Sequence, residues 1–360
     1  MKNKLLLLLA LAFIFEVKAQ ETPTVVIPNE GGRRVITTGI PFILIAPDAR
    51  AASLGDMGVA TSTDAFSQQW NSSKYAFSET KSGFGVSYTP YLSQLVNDIF
   101  LGNLTYFNRL DERSAFAASF KYFSLGDIEF IDELPDGGLT EALIQRPNEL
   151  TIDASYALRL SDQYAMSVAM RYLRSDLRLD GVAGDPTPAS TFGVDITGYY
   201  QSEENAYANF NGRWRLGFAI QNIGPKFTYD EGGAENFQPT NLRLGGGFDF
   251  IFDDYNKLAV TAEVTKLLVP TPPLLGDRYE FIDNNNNGTY EEGEDDLGIE
   301  IESDIIIEGK SQDVNFLSGI FQSFGDAPDG FSEELKEFTW ALSAEYTYQD
   351  AFAFRAGYFN

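Results

Sequence analysis

The chain has 360 residues, with 26 basic and 52 acidic side chains, a net charge of −26, and neither cysteine nor histidine. Those two zeros exclude a disulfide framework, thiolate or imidazole metal sites, and any catalytic couple built on histidine. A pI near 4.2 lacks the basic face that nucleic-acid phosphates require, so no nucleic-acid partner is expected.

Lys2 and Lys4 precede an unbroken apolar run from Leu5 to Phe15, and Val17-Lys18-Ala19 follows with small residues at its two ends. This is the pattern of a cleavable export signal over residues 1–19, with Gln20 as the first mature residue. The apolar run is too short to span a bilayer as a helix, and without cysteine it is no lipoprotein signal. Residues 20–38 are polar, with Pro23, Pro28 and Gly31-Gly32, and read as an extended periplasmic arm. Residues 39–80 are rich in glycine and small side chains. They suit either a segment tucked inside a barrel lumen or an ordinary first hairpin.

From Gly83 onward the chain alternates with period two, strand after strand. Leu150, Ile152, Ala154, Tyr156 and Leu158 oppose Thr151, Asp153, Ser155 and Arg159. Tyr164, Met166, Val168 and Met170 oppose Ser167 and Arg171, while Phe192, Val194 and Ile196 face away from Asp195 and Thr197. The pattern recurs at 84–90, 100–107, 116–123, 214–221, 242–250, 258–264, 338–347 and 352–358. Each run approaches the ~9–11 residues that a tilted strand needs to cross a bilayer. A soluble sandwich also alternates, but its strands are shorter and its two faces meet in a shared apolar core. Here one face carries ionisable groups in nearly every strand, and aromatics gather at strand ends. An all-β, transmembrane antiparallel barrel is expected over 81–360.

Connections alternate between short (111–113, 161–163, 203–213, 253–256, 349–350) and long (125–147, 177–190, 223–240, 270–335). Short periplasmic and long external loops produce this rhythm, so 270–335 is expected outside the cell. Eleven strands are visible, whereas single-chain bacterial barrels have an even number. Either a strand precedes Gly83 or the chain is C-terminally truncated; truncation is the preferred expectation.

Gly245-Gly246-Gly247 lies within a strand, and so marks a bend or a close backbone contact rather than a phosphate loop. The lumen carboxylates Asp153, Asp195, Asp249, Glu263 and Glu345 include a conceivable glycosidase-like pair. Arg159, Arg171, Arg215 and Arg243 on the same face read better as their ionic partners.

In the largest loop, Asp283-Asn284-Asn285-Asn286-Asn287-Gly288-Thr289-Tyr290-Glu291-Glu292-Gly293-Glu294 fits a twelve-position calcium loop. Asp283, Asn285 and Asn287 supply side-chain oxygens, Thr289 its carbonyl, Glu291 a ligand through water, and Glu294 a bidentate carboxylate. The alternative is an acidic turn built on Asn287-Gly288. Residues 277–304 hold eleven acids and one arginine, which suits either a solvated surface that repels lipopolysaccharide phosphates or a face that recognises cargo.

The run from Pro41 to Asn71, followed by Lys74-Tyr75-Ala76-Phe77, resembles the N-terminal segment of the PorV family, outer-membrane barrels of the Bacteroidota type IX secretion system. More loosely, it is similar to the hatch of FadL-type transporters, whose barrels have 14 strands. Asn71-Ser72-Ser73 stands where that wider superfamily has Asn-Pro-Ala. The resemblance implies a non-enzymatic protein that docks on an SprA-like translocon. It would bind the C-terminal domains of secreted cargo and shuttle them to a PorU-like sortase complex, in contact with outer-membrane lipid and lipopolysaccharide. The competing expectation is a FadL-like channel for hydrophobic compounds. An acyl hydrolase is disfavoured by the missing histidine.

Overall fold

The computed structural model describes residues 23–29, 35–94, 96, 98–131, 143–178, 187–229 and 233–360. The expected export signal lies outside the described residues. Seventeen strands follow in chain order. They are β1 (Thr24–Pro28), β2 (Ser82–Pro90), β3 (Ile99–Arg109), β4 (Ser114–Leu125), β5 (Ile128–Phe130), β6 (Leu143–Gln145), β7 (Asn148–Arg159), β8 (Tyr164–Asp176) and β9 (Ala189–Gln201). The rest are β10 (Asn205–Ala206), β11 (Asn211–Ile223), β12 (Asn241–Ile251), β13 (Asn256–Leu267), β14 (Leu274–Ile282), β15 (Asp296–Glu308), β16 (Phe338–Tyr348) and β17 (Phe352–Phe359). Short helices α1 (Ala49–Ser53), α2 (Ser67–Trp70), α3 (Phe316–Gln322) and α4 (Phe331–Glu334) complete the inventory, with 3₁₀ turns at Pro41–Leu44, Ser72–Phe77 and Leu335–Glu337. Among the described residues, no helix is long and apolar enough to cross a membrane.

All eleven expected strands form one continuous antiparallel path, β17-β16-β13-β12-β11-β9-β8-β7-β4-β3-β2, with β10 attached to β11. Neighbours in this path are neighbours in sequence apart from small excursions, as meander topology requires. Tight turns are set by side chains that occupy the free amides: Asp111 Oδ1 accepts from Arg113 N and Ser114 N at 2.7 Å each. Asp253 does the same for Tyr255 N and Asn256 N at 2.8 Å. Gln349 and Asp350, at φ 55° and 51°, form a type I′ turn closed by Ala351 N to Tyr348 O, whose twist matches the strands it joins.

The polarity of the sheet is inverted relative to a soluble protein. Phe84, Met170 and Phe192 are 75%, 63% and 60% exposed, while Asp153 and Arg171 are 1% and 2% exposed. Along β7 and β8 every second residue changes environment in this sense. Aromatics flank the apolar band on both sides. Tyr207, Phe210, Trp214 and Phe248 cluster at the short-turn end; Tyr88–Phe100, Tyr172–Phe192 and Trp340–Tyr358 pair at the other. An apolar outside, a polar inside and two aromatic girdles are the physical marks of an outer-membrane barrel wall. The fold is therefore an all-β transmembrane antiparallel barrel with a filled lumen.

What fills it is residues 35–78. Its turns place Ile40, Phe42, Ile43, Leu54, Met57, Val59, Trp70 and Tyr75 in buried positions. Both end strands of the sheet touch it. A Cβ on Gly85 of β2 would fall 2.7 Å from Phe66, and one on Gly357 of β17 would fall 2.1 Å from Leu54. The lumen-segment expectation holds, and the first-hairpin alternative falls away. Ser343 of β16 packs its hydroxyl 3.1 Å from Met57 Sδ of this segment.

A second compact unit comprises residues up to 34 together with 273–310. It is a three-stranded sheet in the order β1-β14-β15, with Thr24 opposite Glu280 and Pro28 opposite Gly276. This corrects two expectations. The 270–335 region is no plain excursion, since it holds two strands and two helices. Nor can the 20–38 arm be periplasmic while that region is external, because hydrogen-bonded strands cannot lie on opposite sides of a hydrocarbon layer. The arm and the loop share one side.

Replacing Val168, which is exposed at the centre of β8, by Arg should cost about 2–4 kcal/mol, while Val168→Leu should be near neutral. Urea unfolding in lipid vesicles, followed by tryptophan fluorescence, measures both. Equal stability of Val168→Arg and wild type would mean that this face meets water.

Candidate functional site

The lumen segment is held by its own caps before it touches the wall. Asp48 starts α1 by accepting from Ala51 N at 2.8 Å, and its other oxygen takes Trp70 Nε1 at 3.1 Å. Asp64 accepts from Phe66 N and Ser67 Oγ, both at 3.0 Å. Asn71 closes the segment: its Oδ1 accepts from Ser73 N, and its Nδ2 donates to Val59 O and to Gly198 O of β9 at 2.9 Å. Ser72 places its hydroxyl 2.7 Å from Ser167 Oγ on β8, which bonds the turn to the wall.

The charged residues of the inward face are committed to pairing. Arg171 lies between Asp153 and Asp195 and also donates to Asn222. Arg215 pairs with Asp249 at 2.8 Å and donates to Ala60 O of the lumen segment. Arg243 pairs with Glu263 at 3.0 Å and lies 4.9 Å over the Trp70 ring. The second Glu263 oxygen accepts from Gly58 N and Val59 N at 2.9 Å each. Arg159 departs from expectation: it sits one residue before a turn, donates to Asp162 O at 2.6 Å and stacks on Phe77. Glu345 is held by two guanidiniums: Arg50 grips it at 2.8 and 3.0 Å and reaches Asp64 at 2.7 Å, and Arg355 of β17 also donates to it. With Asp153, Asp195, Asp249, Glu263 and Glu345 each held by a guanidinium, these five are not placed as a hydrolytic acid–base couple.

Arg50 is the functional residue that sequence reasoning missed. A lone charge in Ala49-Arg50-Ala51-Ala52 was the available signal, since small neighbours leave room for a long side chain to cross the lumen. Strand glycines mark where the segment comes closest. A Cβ on Gly217 would lie 2.1 Å from Val59 O, and one on Gly245 would lie 2.6 Å from Val59 Cγ1. The close-contact reading of Gly245 is the structural one.

Recesses remain at both ends of the lumen. The short-turn end opens on a pocket of about 720 Å³ whose lining includes Glu79, Glu204, Asp253, Asp254 and Asp350 against Arg213 and Lys257. The opposite end has a smaller apolar recess, about 330 Å³, between Phe42, Tyr91, Phe123, Leu125 and Tyr229, with Glu149 at its wall.

In the separate three-stranded unit, the calcium-loop motif forms the tip between β14 and β15. Asp283 accepts from Asn287 N at 3.2 Å and Gly288 N at 2.7 Å, with Gly288 at φ 79°. Asn285 Oδ1 takes Asn287 N at 3.0 Å, and Asn287 Oδ1 takes Thr289 N at 2.7 Å. Asn285 Nδ2 faces Glu291 at 3.1 Å and Glu294 at 3.4 Å. Asp283, Asn285 and Asn287 thus spend side-chain oxygens on backbone amides of the turn, while the Asn285 amide links Glu291 and Glu294. Asp295, absent from the motif, braces it by accepting from Asn284 N and Glu291 N at 2.9 Å.

The family model for the type IX secretion system protein PorV matches residues 28–274. No curated protein matches the chain. Among solved structures, similarity is found to a monoaromatic hydrocarbon channel, CymD, at 12% identity and TM-score 0.43, covering 87% of this chain and 83% of that one. The Pseudomonas putida toluene transporter TodX gives 12% and 0.39, covering 86% and 82%. The Ralstonia pickettii toluene transporter TbuX gives 12% and 0.39, covering 88% and 86%.

Gly217→Ala should push Val59 and the lumen segment off the wall, costing about 1–3 kcal/mol and raising conductance in planar bilayers. Gly246→Ala, whose Cβ meets only the flexible Leu216 tip at 3.3 Å, should do neither. Identical conductance of the two variants would count against the segment as a plug.

Proposed function

The chain belongs to the PorV family of type IX secretion system proteins, and on that premise we propose that it is a non-enzymatic cargo shuttle of the outer membrane. In this reading it docks on an SprA-like translocon, takes exported proteins by their C-terminal domains, and hands them to a PorU-like sortase complex at the lipopolysaccharide surface. An export signal over residues 1–19 belongs to the same proposal. The observation that carries it is the filled lumen. A wall whose inward charges are bonded to residues 50–73 spends its polar interior on the segment, which supports its loops and rims as working surfaces. That weighs against a channel for hydrophobic compounds. A pull-down from detergent-solubilised outer membranes should recover the translocon and the sortase complex. Recovery of the barrel alone, with hydrophobic-compound uptake lost on deletion, would overturn the proposal.

The hairpin tip supplies a further element of the same reading: a weak calcium site at Asp283, Asn285, Asn287, Thr289, Glu291 and Glu294. Few of these ligands are charged, so affinity on the order of 10⁻⁴–10⁻³ M is expected, as in extracellular modules. Millimolar calcium should slow proteolysis of 283–294, with magnesium a poor substitute because it demands a smaller octahedral shell. Glu294→Ala should remove the effect. Protection that survives this substitution would reduce the tip to an acidic turn.

A further inference from the structure

A second cluster of acids lies in the barrel unit, away from the calcium-loop motif. Asp326 follows α3, Glu334 ends α4, and Glu337 ends the last 3₁₀ turn before β16. One oxygen from each lies within 4.8 Å of the other two. Unlike the surface acids, these are enclosed: Asp326 is 2% and Glu334 6% exposed. The one cation among them is Lys266 at the end of β13, itself fully buried, 2.8 Å from Glu334 and 2.5 Å from Glu337. Three carboxylates thus face one ammonium.

Their hydrogen bonds are also incomplete. Thr271 N donates to one Asp326 oxygen at 3.1 Å, and Thr271 Oγ1 donates to Glu337 at 2.5 Å. The second Asp326 oxygen and both Glu334 oxygens are buried yet receive no hydrogen bond, although Lys266 lies beside one of them. A buried carboxylate left short of donors and countercharge is strongly unfavourable. One oxygen of each acid lies within 4.8 Å of the other two, a spacing that suits oxygens on one ion, since two calcium–oxygen bonds of 2.3–2.6 Å span up to about 5 Å.

We propose that Asp326, Glu334 and Glu337 bind one divalent cation, calcium, beside Lys266. The ion supplies the two missing positive charges and fills coordination positions that no protein donor reaches. Calcium fits better than magnesium because carboxylates on a loop, a short helix and a 3₁₀ turn form an irregular shell, which calcium tolerates and magnesium does not. Its structural effect is to tie residues 316–337 to the end of β13 and to Thr271. That fixes the stage on which Phe321 and Phe331, 78% and 76% exposed, are presented.

The test uses full-length protein in detergent, carrying Glu294→Ala so that the hairpin tip does not contribute. Equilibrium dialysis should find one calcium per chain, and adding Asp326→Asn with Glu334→Gln should weaken binding at least tenfold. Hydrogen exchange of the protein without the latter pair, with calcium against chelator, should show slower exchange over 316–337. This arm decides the matter even where the multiple variant does not fold. No bound calcium in the Glu294→Ala protein, equal affinity after the acid substitutions, equal binding of magnesium, or unchanged exchange would each overturn the proposal. None of these outcomes bears on the secretion reading or on the hairpin tip.

Discussion

A peptide group has no hydrogen-bond partner in hydrocarbon, so a chain that crosses a membrane as strands must pair each strand with its neighbours along the whole crossing. The rest of this molecule depends on that constraint. It sets the strand lengths, forces the meander, and turns apolar side chains outward, where Phe84 and Phe192 stand exposed. It also sends Asp153, Arg171, Asp195, Arg215 and Glu263 inward. Inversion creates a second problem, because a ring of charge facing an enclosed lumen needs partners of its own.

Two kinds of partner answer it. Some lie across the strands, such as Arg171 between Asp153 and Asp195. Others come from the lumen segment: Arg50 on Glu345, and the Gly58 and Val59 amides on Glu263. Exposed ion pairs contribute little, but here removal of one partner would leave the other buried and uncompensated. The segment and the wall are therefore complementary parts of a single polar interior, and the strand glycines 217 and 245 let their backbones meet.

The eleven wall strands were legible because each face keeps one environment over its whole length, so period two persists. Strands β14 and β15 were not. The Leu297, Ile299, Ile301 row alternates with Gly298, Glu300 and Glu302, but β15 is exposed on nearly every residue, and its acids read as a solvated charge run. Strand β1 was missed because its partner is remote in sequence. Among site residues, Arg171, Arg215 and Arg243 were assigned correctly because cross-strand neighbours share a face. Arg159 was not, because its position beside a turn gave its guanidinium a nearer carbonyl. Nor was the link from Arg50 to Glu345 readable, since no local period connects a lumen turn to the penultimate strand. The three acids around Lys266 were hidden for the same reason: four residues distant in sequence or in separate elements meet only in the folded chain.

The pairing of β1 with β14 has a consequence for the order of assembly. Thr24 through Pro28 emerge among the first residues of the described chain, yet the strand that completes their hydrogen bonds comes only after β13. Until then the arm is an unpaired edge, the form of backbone most open to a foreign strand. Closing so long a loop is a late, non-local step, entropically costly before it is rewarded. The small sheet is thus a record of completion: it has its full set of partners only when most of the barrel wall has already been delivered.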